Sequence, residues 1–288
     1  MRHERRLRVG PVGFRIGSDW AEPLAAIDRL YHGYPEPAGG LCDFTVRLAA
    51  ERPWRRWIRP SVAIRGDYTL PDAAPLALAH GLLAAELGMN LQMALGQRRY
   101  LLLHAATVER NGRALMMTGE SGAGKSTLAA LLGERGWRLM GDEFALVEPA
   151  SGLVHPFPRA ISLKNASIDV VTSELDASRF GPLLAGTPKG TIRHLRPNDA
   201  AVAAMDQTAS PALLLFPRFG FEAAARDVGA VEVFVRLTQA STNYVAMGEA
   251  GFKALTSLVS NVPAQAIDYG NAAEAIMLVE RLWQELAG

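Results

Sequence analysis

A glycine-rich segment that ends in lysine and serine is the part of the sequence whose residues most clearly indicate chemistry. The segment Gly119-Glu-Ser-Gly-Ala-Gly-Lys-Ser126 matches the P-loop pattern G-x-x-x-x-G-K-[ST] at every fixed position. Its glycines let the backbone curl so that successive N–H groups face phosphate oxygens, and a helix starting at Ser126 would add its positive dipole end. In this pattern the lysine contacts the β- and γ-phosphates and the serine hydroxyl ligates Mg²⁺. The pattern predicts that ATP and Mg²⁺ bind here through Gly119, Glu120, Ser121, Gly122, Ala123, Gly124, Lys125, Ser126 and Thr127.

Two adjacent carboxylates follow the P-loop pattern. Asp142 and Glu143 come directly after a short apolar run at residues 137–141 that is typical of a strand. Near bound ATP, one carboxylate can accept the proton of a substrate hydroxyl while the other orients Mg²⁺ or its waters. The alternative is a solvated acidic turn between two strands. The nearby P-loop pattern favours the first interpretation.

Three basic residues further along the chain are candidates for stabilising a transferred phosphoryl group. Such a group carries negative charge, and Arg or Lys side chains that donate to it stabilise the transition state. Arg159 and Lys164 flank a short apolar stretch, and Lys189 lies in the segment Gly186-Thr-Pro-Lys-Gly190. The glycines and the proline predict a hinged loop that closes over the phosphates. The alternative is that all three residues are surface charges.

The predicted secondary structure changes near residue 96. Before it, residues 44–48 and 61–65 have strand-like patterns, and a helix is predicted from about residue 75 to 95. After it, strands are predicted at 100–108, 114–118, 212–216 and 231–237, with a turn at Gly112, and helices at 126–136, 248–260 and 271–286. This order predicts an α+β domain at residues 1–96 and an α/β domain at residues 97–288. The aliphatic stripe of the last helix fits core packing or a homo-oligomer interface.

Composition narrows the classes of partner and compartment. The 288 residues carry 30 Lys plus Arg against 29 Asp plus Glu, which argues against nucleic acid as a partner. The single cysteine, Cys42, permits no internal disulfide and fits a reducing compartment. The basic segment at residues 1–8 is not followed by the apolar core of a secretory signal, and polar residues interrupt the apolar stretch 76–95. We therefore expect a cytoplasmic protein with no membrane partner.

Several motifs together resemble the catalytic core of the HPr kinase/phosphorylase family. That family has a histidine on the strand before a loop of the form G-[DE]-S-G-x-G-K-S, then R-G-x-R-L and an acidic pair. The matching residues are His104, Gly119 to Ser126, Arg135-Gly-Trp-Arg-Leu139 and Asp142-Glu143.

The rest of the chain is more similar to the HPr-kinase-related kinases of bacterial gene clusters. The shared motifs are Asp43-Phe44, Val46-Arg47, Trp57-x-Arg59-Pro60, Pro158-Arg159, Ser162-Leu-Lys-Asn165, Ser167-Ile-Asp169, Lys189-Gly-Thr191, His194-x-Arg196-Pro197, Phe216-Pro-Arg218, Asn243-Tyr244 and Gly251-Phe252.

The resemblance implies an α/β P-loop kinase domain of the HPr kinase/phosphorylase type behind a smaller N-terminal α+β domain. It also implies ATP-dependent phosphorylation of a serine-type hydroxyl on a protein or peptide. Asp142 would be the general base, Lys125 would hold the phosphates, and Ser126 with Glu143 would form the metal side. His104 would lie near the γ-phosphate, and Lys189 and Arg159 would be further catalytic residues.

Two departures limit what the family resemblance implies. The family's acidic pair is usually two aspartates, whereas the second residue here is Glu143. The motif that carries a further metal-side glutamate in the HPr enzymes is replaced by residues 158–165, so the reverse, phosphorolytic reaction is not supported. Two other functions stay open: a kinase for a small metabolite, and a regulatory module that ATP binding switches without transfer. The residues name no particular acceptor and do not distinguish ATP from GTP.

Overall fold

The computed structural model describes residues 2–286, which form seventeen strands and eight α-helices. The strands are β1 (His3–Val9), β2 (Val12–Ser18), β3 (Phe44–Ala50), β4 (Ser61–Gly66), β5 (Leu76–Ala77), β6 (Leu101–Leu103), β7 (Ala105–Arg110), β8 (Arg113–Thr118), β9 (Arg138–Gly141), β10 (Ala145–Val147), β11 (Val154–His155), β12 (Ile161–Lys164), β13 (Phe180–Thr187), β14 (Gly190–Leu195), β15 (Ser210–Phe219), β16 (Ala224–Asp227) and β17 (Ala264–Tyr269). The helices are α1 (Ala21–Leu30), α2 (Gly81–Gly96), α3 (Lys125–Leu132), α4 (Ala166–Thr172), α5 (Asp199–Ala203), α6 (Ala230–Ala240), α7 (Tyr244–Asn261) and α8 (Ala272–Glu285).

The N-terminal part is a five-stranded sheet in the order β1-β2-β3-β4-β5, with α1 and α2 packed against it. Alternation along β3 buries Phe44, Val46 and Leu48, because successive side chains of a strand point to opposite faces. The core of this sheet also takes in Phe144 and Phe157 from beyond residue 97. The domain boundary at residues 96–97 stays a prediction.

The centre of the second part is a six-stranded sheet in the order β16-β17-β15-β8-β7-β9. Strands β8, β15 and β17 run parallel, and the central parts of β8 and β15 are buried on both faces, as is typical of a sheet covered by helices. Helices α3 and α8 cover one face, and α6 and α7 cover the other. The predicted turn at Gly112 is confirmed: Asn111 and Gly112 both have positive φ and join β7 to β8 as a two-residue hairpin.

A three-stranded sheet in the order β12-β14-β13 lies beside this core and carries several of the candidate site residues. In its register Ser162 of β12 lies opposite His194 of β14. Another small sheet has the order β11-β10-β6. The protein is thus a mixed α/β structure with several sheets, which confirms the predicted fold class in its coarse form.

Two predicted elements are wrong. Residues 231–237 form part of helix α6 instead of a strand, with Val233 and Leu237 buried four residues apart. Residues 186–190 are not a hinged loop: Gly186 and Thr187 end β13, Gly190 begins β14, and the two strands form a hairpin with a two-residue turn. Over residues 2–286, none of the helices combines the length and apolar character that crossing a bilayer requires.

Candidate active site

The glycine loop (residues 119–124) lies between the end of β8 and the start of α3, as the sequence pattern predicts. Gly122 and Gly124 have φ values of 88° and 87°, which glycine adopts without steric cost. A Cβ on Gly124 would lie 2.1 Å from the Tyr269 hydroxyl oxygen, so a side chain is also excluded by contact. Ser126 and Thr127 lie in the first turn of α3.

Tyr269, at the end of β17, contacts the glycine loop and stabilises its position. Its hydroxyl donates a hydrogen bond of 2.6 Å to the carbonyl oxygen of Ala123. Burial raises the pKa of Tyr269 to about 12, so the phenol stays a neutral donor. The sequence motifs did not identify this residue, because the contact depends on the parallel pairing of β17 with β15.

Lys125 is buried and folds back over the glycine loop. Its ammonium donates to the carbonyl oxygens of Gly119 at 2.7 Å and Glu120 at 2.9 Å. Burial lowers the pKa of Lys125, while the carboxylates of Asp142 and Glu143 act in the opposite direction. The ammonium has three donors, so one remains for a ligand in addition to these two carbonyl contacts.

The acidic pair follows β9, and the two residues differ in environment. Asp142 is 5% exposed, and its Oδ2 accepts a hydrogen bond of 3.1 Å from the N–H of Ser162. Among the atoms of residues 2–286, its Oδ1 has no hydrogen-bond partner of good geometry, although the nearby Ser126 hydroxyl favours the charged form. Glu143 is partly exposed. For Asp142, the alternative of a solvated acidic turn is therefore wrong.

The environment of Asp142 favours its protonated form. Burial and the neighbouring Glu143 raise the pKa of Asp142 to about 6, against the opposing effects of Ser126, the Ser162 N–H and Lys164. A carboxyl group that takes up a proton near neutral pH has the acid–base properties of a catalytic base. The preceding residue, Gly141, lets the backbone pack closely at the start of the acidic pair, since a Cβ there would lie 2.8 Å from the carbonyl oxygen of Phe144.

His104 interrupts the predicted strand at residues 100–108, since it lies between β6 and β7. Its Nδ1 lies 3.7 Å from Oε1 of Glu143. Burial lowers the pKa of His104; Glu143 raises it, and Lys125, Lys164 and Lys189 lower it further. The site therefore favours the neutral imidazole beside a cluster of positive charge.

Three of the four lysines in the chain lie close to this site. The chain has four lysines, and Lys125, Lys164 and Lys189 all act on His104, whereas Lys253 pairs with Glu249 on α7. Lys164 ends β12, the strand that supplies the Ser162 N–H to Asp142. The sequence analysis named Lys164 only as a candidate beside Arg159 and Lys189, and the scarcity of lysine is a further signal that favours it.

Lys189 reaches the site from the turn of the β13–β14 hairpin. The Thr187 hydroxyl fixes this turn, because it donates to the Gly190 carbonyl at 2.6 Å and accepts from the Lys189 N–H at 3.2 Å. Lys189 is exposed. Lys189 thus lies in the turn of a hydrogen-bonded hairpin and not in an irregular loop, while closure over the phosphates stays a prediction.

Arg159 is engaged away from the glycine loop. It is buried, it forms an ion pair with Glu86, and it donates to Asn90, with both partners on α2. Burial opposes its charge, but Glu86 and Tyr31 raise the pKa of Arg159 above its usual range. These contacts tie the strand that leads to Ser162 to helix α2. They do not support the expectation that Arg159 touches a transferred phosphoryl group.

An open cleft of about 1580 Å³ borders one side of this site, and Asp142, Lys125 and Lys164 lie outside its lining. Residues 118–123, His104, Glu143 and Pro188 line its polar part. Among the described residues no group of three or more His, Cys, Asp or Glu side chains could hold a metal ion by itself. Mg²⁺ needs only one or two carboxylates when phosphate oxygens and water complete its coordination, so the Ser126 hydroxyl and the partly exposed Glu143 carboxylate fit that ion.

Comparisons with known proteins identify a family for this chain and a distant structural neighbour. A family model described as "SynChlorMet cassette protein ScmC" matches residues 84–269, more than half of the chain, and the chain belongs to that family. None of the curated proteins matches the sequence. The solved structure of the Hpr(Ser) kinase/phosphatase from Coxiella burnetii aligns at 12% identity over 64% of this chain and 98% of that chain. Its TM-score of 0.30 marks a weak structural relation.

Proposed function

We propose that this member of the ScmC family is an ATP-dependent kinase that transfers the γ-phosphoryl group to a serine-type hydroxyl of a protein or peptide. The observation that carries the proposal is the placement of Asp142. Its carboxylate is buried beside the first turn of α3, one oxygen is held by the Ser162 N–H, and within residues 2–286 the other lies near the Ser126 hydroxyl without a hydrogen bond of good geometry. A protein that only binds a nucleotide has little use for such a base.

The glycine loop and α3 bind the nucleotide. The loop N–H groups and the start of α3 face the phosphates, and Lys125 donates its remaining N–H to them. The Ser126 hydroxyl and Glu143 would hold Mg²⁺. When bound, ATP with Mg²⁺ supplies the transferable phosphoryl group and neutralises part of its charge.

Asp142, Lys164 and Lys189 carry out transfer of the phosphoryl group. Asp142 takes the proton of the acceptor hydroxyl as the acceptor oxygen bonds to the γ-phosphorus and the bond to the β,γ-bridging oxygen breaks, so that ADP leaves. Lys164 and Lys189 stabilise the charge on the transferring group, and His104 lies beside it in its neutral form. Arg159 acts indirectly, through the strand that carries Ser162.

Two measurements on Asp142→Asn test the proposal. With ATP labelled in the γ-phosphate and a panel of serine and threonine peptides, we expect the variant to bind ATP·Mg²⁺ nearly normally and to transfer at least about 10²-fold more slowly, since it cannot take the proton. Asp72→Asn is the matched control, because Asp72 is exposed. Equal transfer by Asp142→Asn and the wild type would remove Asp142 as the base. A parallel panel of small hydroxylated metabolites tests the metabolite-kinase alternative.

A further inference from the structure

Helix α2 has an apolar face that the rest of the protein leaves partly uncovered. From residue 81 to residue 94, every residue is buried except Leu87, Asn90, Leu91 and Ala94. These four positions have the spacing of one helical face. The uncovered face of a helix in a globular protein is normally polar, yet three of these four side chains are aliphatic. All four line the cleft that contains the glycine loop.

The same apolar surface continues onto the N-terminal sheet and its connections. Ile64 of β4, Leu76 of β5 and the connecting Leu70 line the cleft as well. Leu70 is 54% exposed. We call the combined surface the apolar wall, and its residues are Ile64, Leu70, Leu76, Leu87, Leu91 and Ala94. It contains no charged side chain and lines the same cleft as His104, Glu143 and the glycine loop.

The size of the cleft indicates that a nucleotide does not fill it. Pockets for single small ligands measure roughly 300 to 1,000 Å³, whereas this cleft measures about 1580 Å³. A different part of its lining suits the base of a nucleotide. There the rings of Phe219 and Phe221 are exposed, and the guanidinium of Arg218 lies 3.8 Å from the Phe221 ring centre. The aliphatic wall is left for a second molecule.

We propose that the apolar wall is the acceptor subsite, and that the acceptor is a polypeptide segment with aliphatic or aromatic side chains close to its phosphorylated residue. This inference rests on the proposed kinase function and names its substrate class. A small polar metabolite cannot cover a surface built from three separate elements, whereas an extended peptide places a side chain on one face every second residue. Apolar contact would hold the segment while the hydroxyl residue reaches Asp142.

The test compares two peptides and three variants. The peptides are a short sequence with a single serine between leucines, and the same sequence with asparagines in place of the leucines. The variants are Leu70→Gln and Leu91→Gln in the wall, with Leu95→Gln as the matched control. Leu95 lies on the same helix, is 36% exposed and does not line the cleft. Leu70→Gln removes an exposed side chain, so folding does not depend on it.

We expect the wild type and Leu95→Gln to prefer the leucine peptide about 10- to 100-fold in kcat/KM. In Leu70→Gln and Leu91→Gln this preference should fall by about tenfold or more, with the KM for ATP unchanged. Equal preference in all four proteins would overturn the proposal. A loss of affinity for ATP but not for inorganic triphosphate would place the nucleotide base on the wall instead. Loss of self-association without a change in peptide preference would make the wall a contact between copies of the chain.

A failure of the kinase function can be told apart from a failure of this inference. Binding of the two peptides, fluorescently labelled, is measured by anisotropy with a non-hydrolysable ATP analogue, which requires no transfer. Preferential binding of the leucine peptide that is lost in Leu70→Gln supports the wall even if no phosphoryl transfer is detected. Transfer to both peptides without preference supports the kinase and refutes the wall.

Discussion

Replacing Asp142 by asparagine should stabilise the protein when nucleotide and divalent cations are absent. The carboxylate is buried, and only one of its oxygens has a hydrogen-bond partner of good geometry within the described residues. The ionised carboxylate is therefore less stable in the folded state than in water. Such a loss of stability is typical of a residue that acts on a ligand. Asparagine removes the charge and keeps an oxygen for the Ser162 N–H.

The size of the effect follows from the pKa of Asp142. A rise from 3.8 to about 6 corresponds to about 3 kcal/mol against the ionised form, at about 1.4 kcal/mol for each tenfold change in proton affinity. Incomplete hydrogen bonding of the new amide N–H₂ subtracts about 1 kcal/mol. We therefore expect Asp142→Asn to raise the free energy of unfolding by about 2 kcal/mol at neutral pH.

The gain should depend on pH in a defined direction. Below the unfolded-state pKa, both states carry the proton and the wild type loses nothing. As the pH rises from 3.8 toward about 6, the folded state holds its proton while the unfolded state releases it, so wild-type stability falls. Above about 6 the loss is complete. The advantage of the variant is thus full at about pH 7.5, and at about pH 5 it falls to about a third of that value, because the charge cost drops to about 1.6 kcal/mol while the amide penalty of about 1 kcal/mol stays.

Urea denaturation with a chelator present, at both pH values, measures this difference. Asp72→Asn, which changes an exposed aspartate, should leave the free energy of unfolding unchanged at both. If Asp142→Asn is no more stable than the wild type at about pH 7.5, or if its advantage grows as the pH falls, the description of Asp142 as a buried, electrostatically strained base is wrong.

Three further substitutions test other contacts. Lys125→Ala should abolish the rise in Tm caused by ATP·Mg²⁺, because stabilisation by a ligand follows its affinity; an undiminished rise would contradict the assignment of the glycine loop. Lys189→Met keeps the aliphatic stem and should lower kcat by about 10- to 1,000-fold with ATP affinity nearly unchanged; normal turnover would make Lys189 a solvated charge on the hairpin. Arg159→Met should destabilise the fold by about 3 to 5 kcal/mol in urea denaturation, because it leaves the Glu86 carboxylate buried and unpaired. Adding Glu86→Gln should recover part of that loss, and no recovery would show that the pair is not the cause.

The position of the glycine loop could be predicted from the sequence because all the local sequence signals indicate the same strand–loop–helix arrangement. An apolar strand, positive-φ glycines and a helix-forming run follow one another within a short segment. The β7–β8 hairpin was predictable for the same reason, since Asn111-Gly112 determines the turn by itself. Such features need no knowledge of distant residues.

Helix α6 was not predictable in this way. Its segment Val231-Glu-Val-Phe-Val-Arg-Leu237 alternates like a strand, while Val233 and Leu237 also have the spacing of a helical face. Val231 is 82% exposed and Val235 is 47% exposed, whereas Val233 is buried, so tertiary packing selected the helical face over the strand-like alternation. The hairpin at residues 186–190 was missed because Thr187 holds its turn through side-chain hydrogen bonds.

The chemistry of the site depends on contacts between distant parts of the chain. The sequence predicted a role for Asp142, but its burial and its hydrogen bond from Ser162 depend on β12, a strand twenty residues further along the chain. Arg159 carried the right charge for a phosphate contact, yet its partners Glu86 and Asn90 lie on α2. A charge pattern cannot distinguish such a buried structural pair from an active-site cation.

The central claim is tested most directly by following label from ATP into a peptide that contains serine. With ATP labelled in the γ-phosphate, we expect the wild type to form labelled phosphoserine and Asp142→Asn to do so at least about 10²-fold more slowly. With ATP labelled in the α-phosphate, the peptide should stay unlabelled. ATP binding without label transfer to any peptide or metabolite, or transfer at the same rate by Asp142→Asn, would contradict the assignment of this site as a kinase that uses Asp142 as its base.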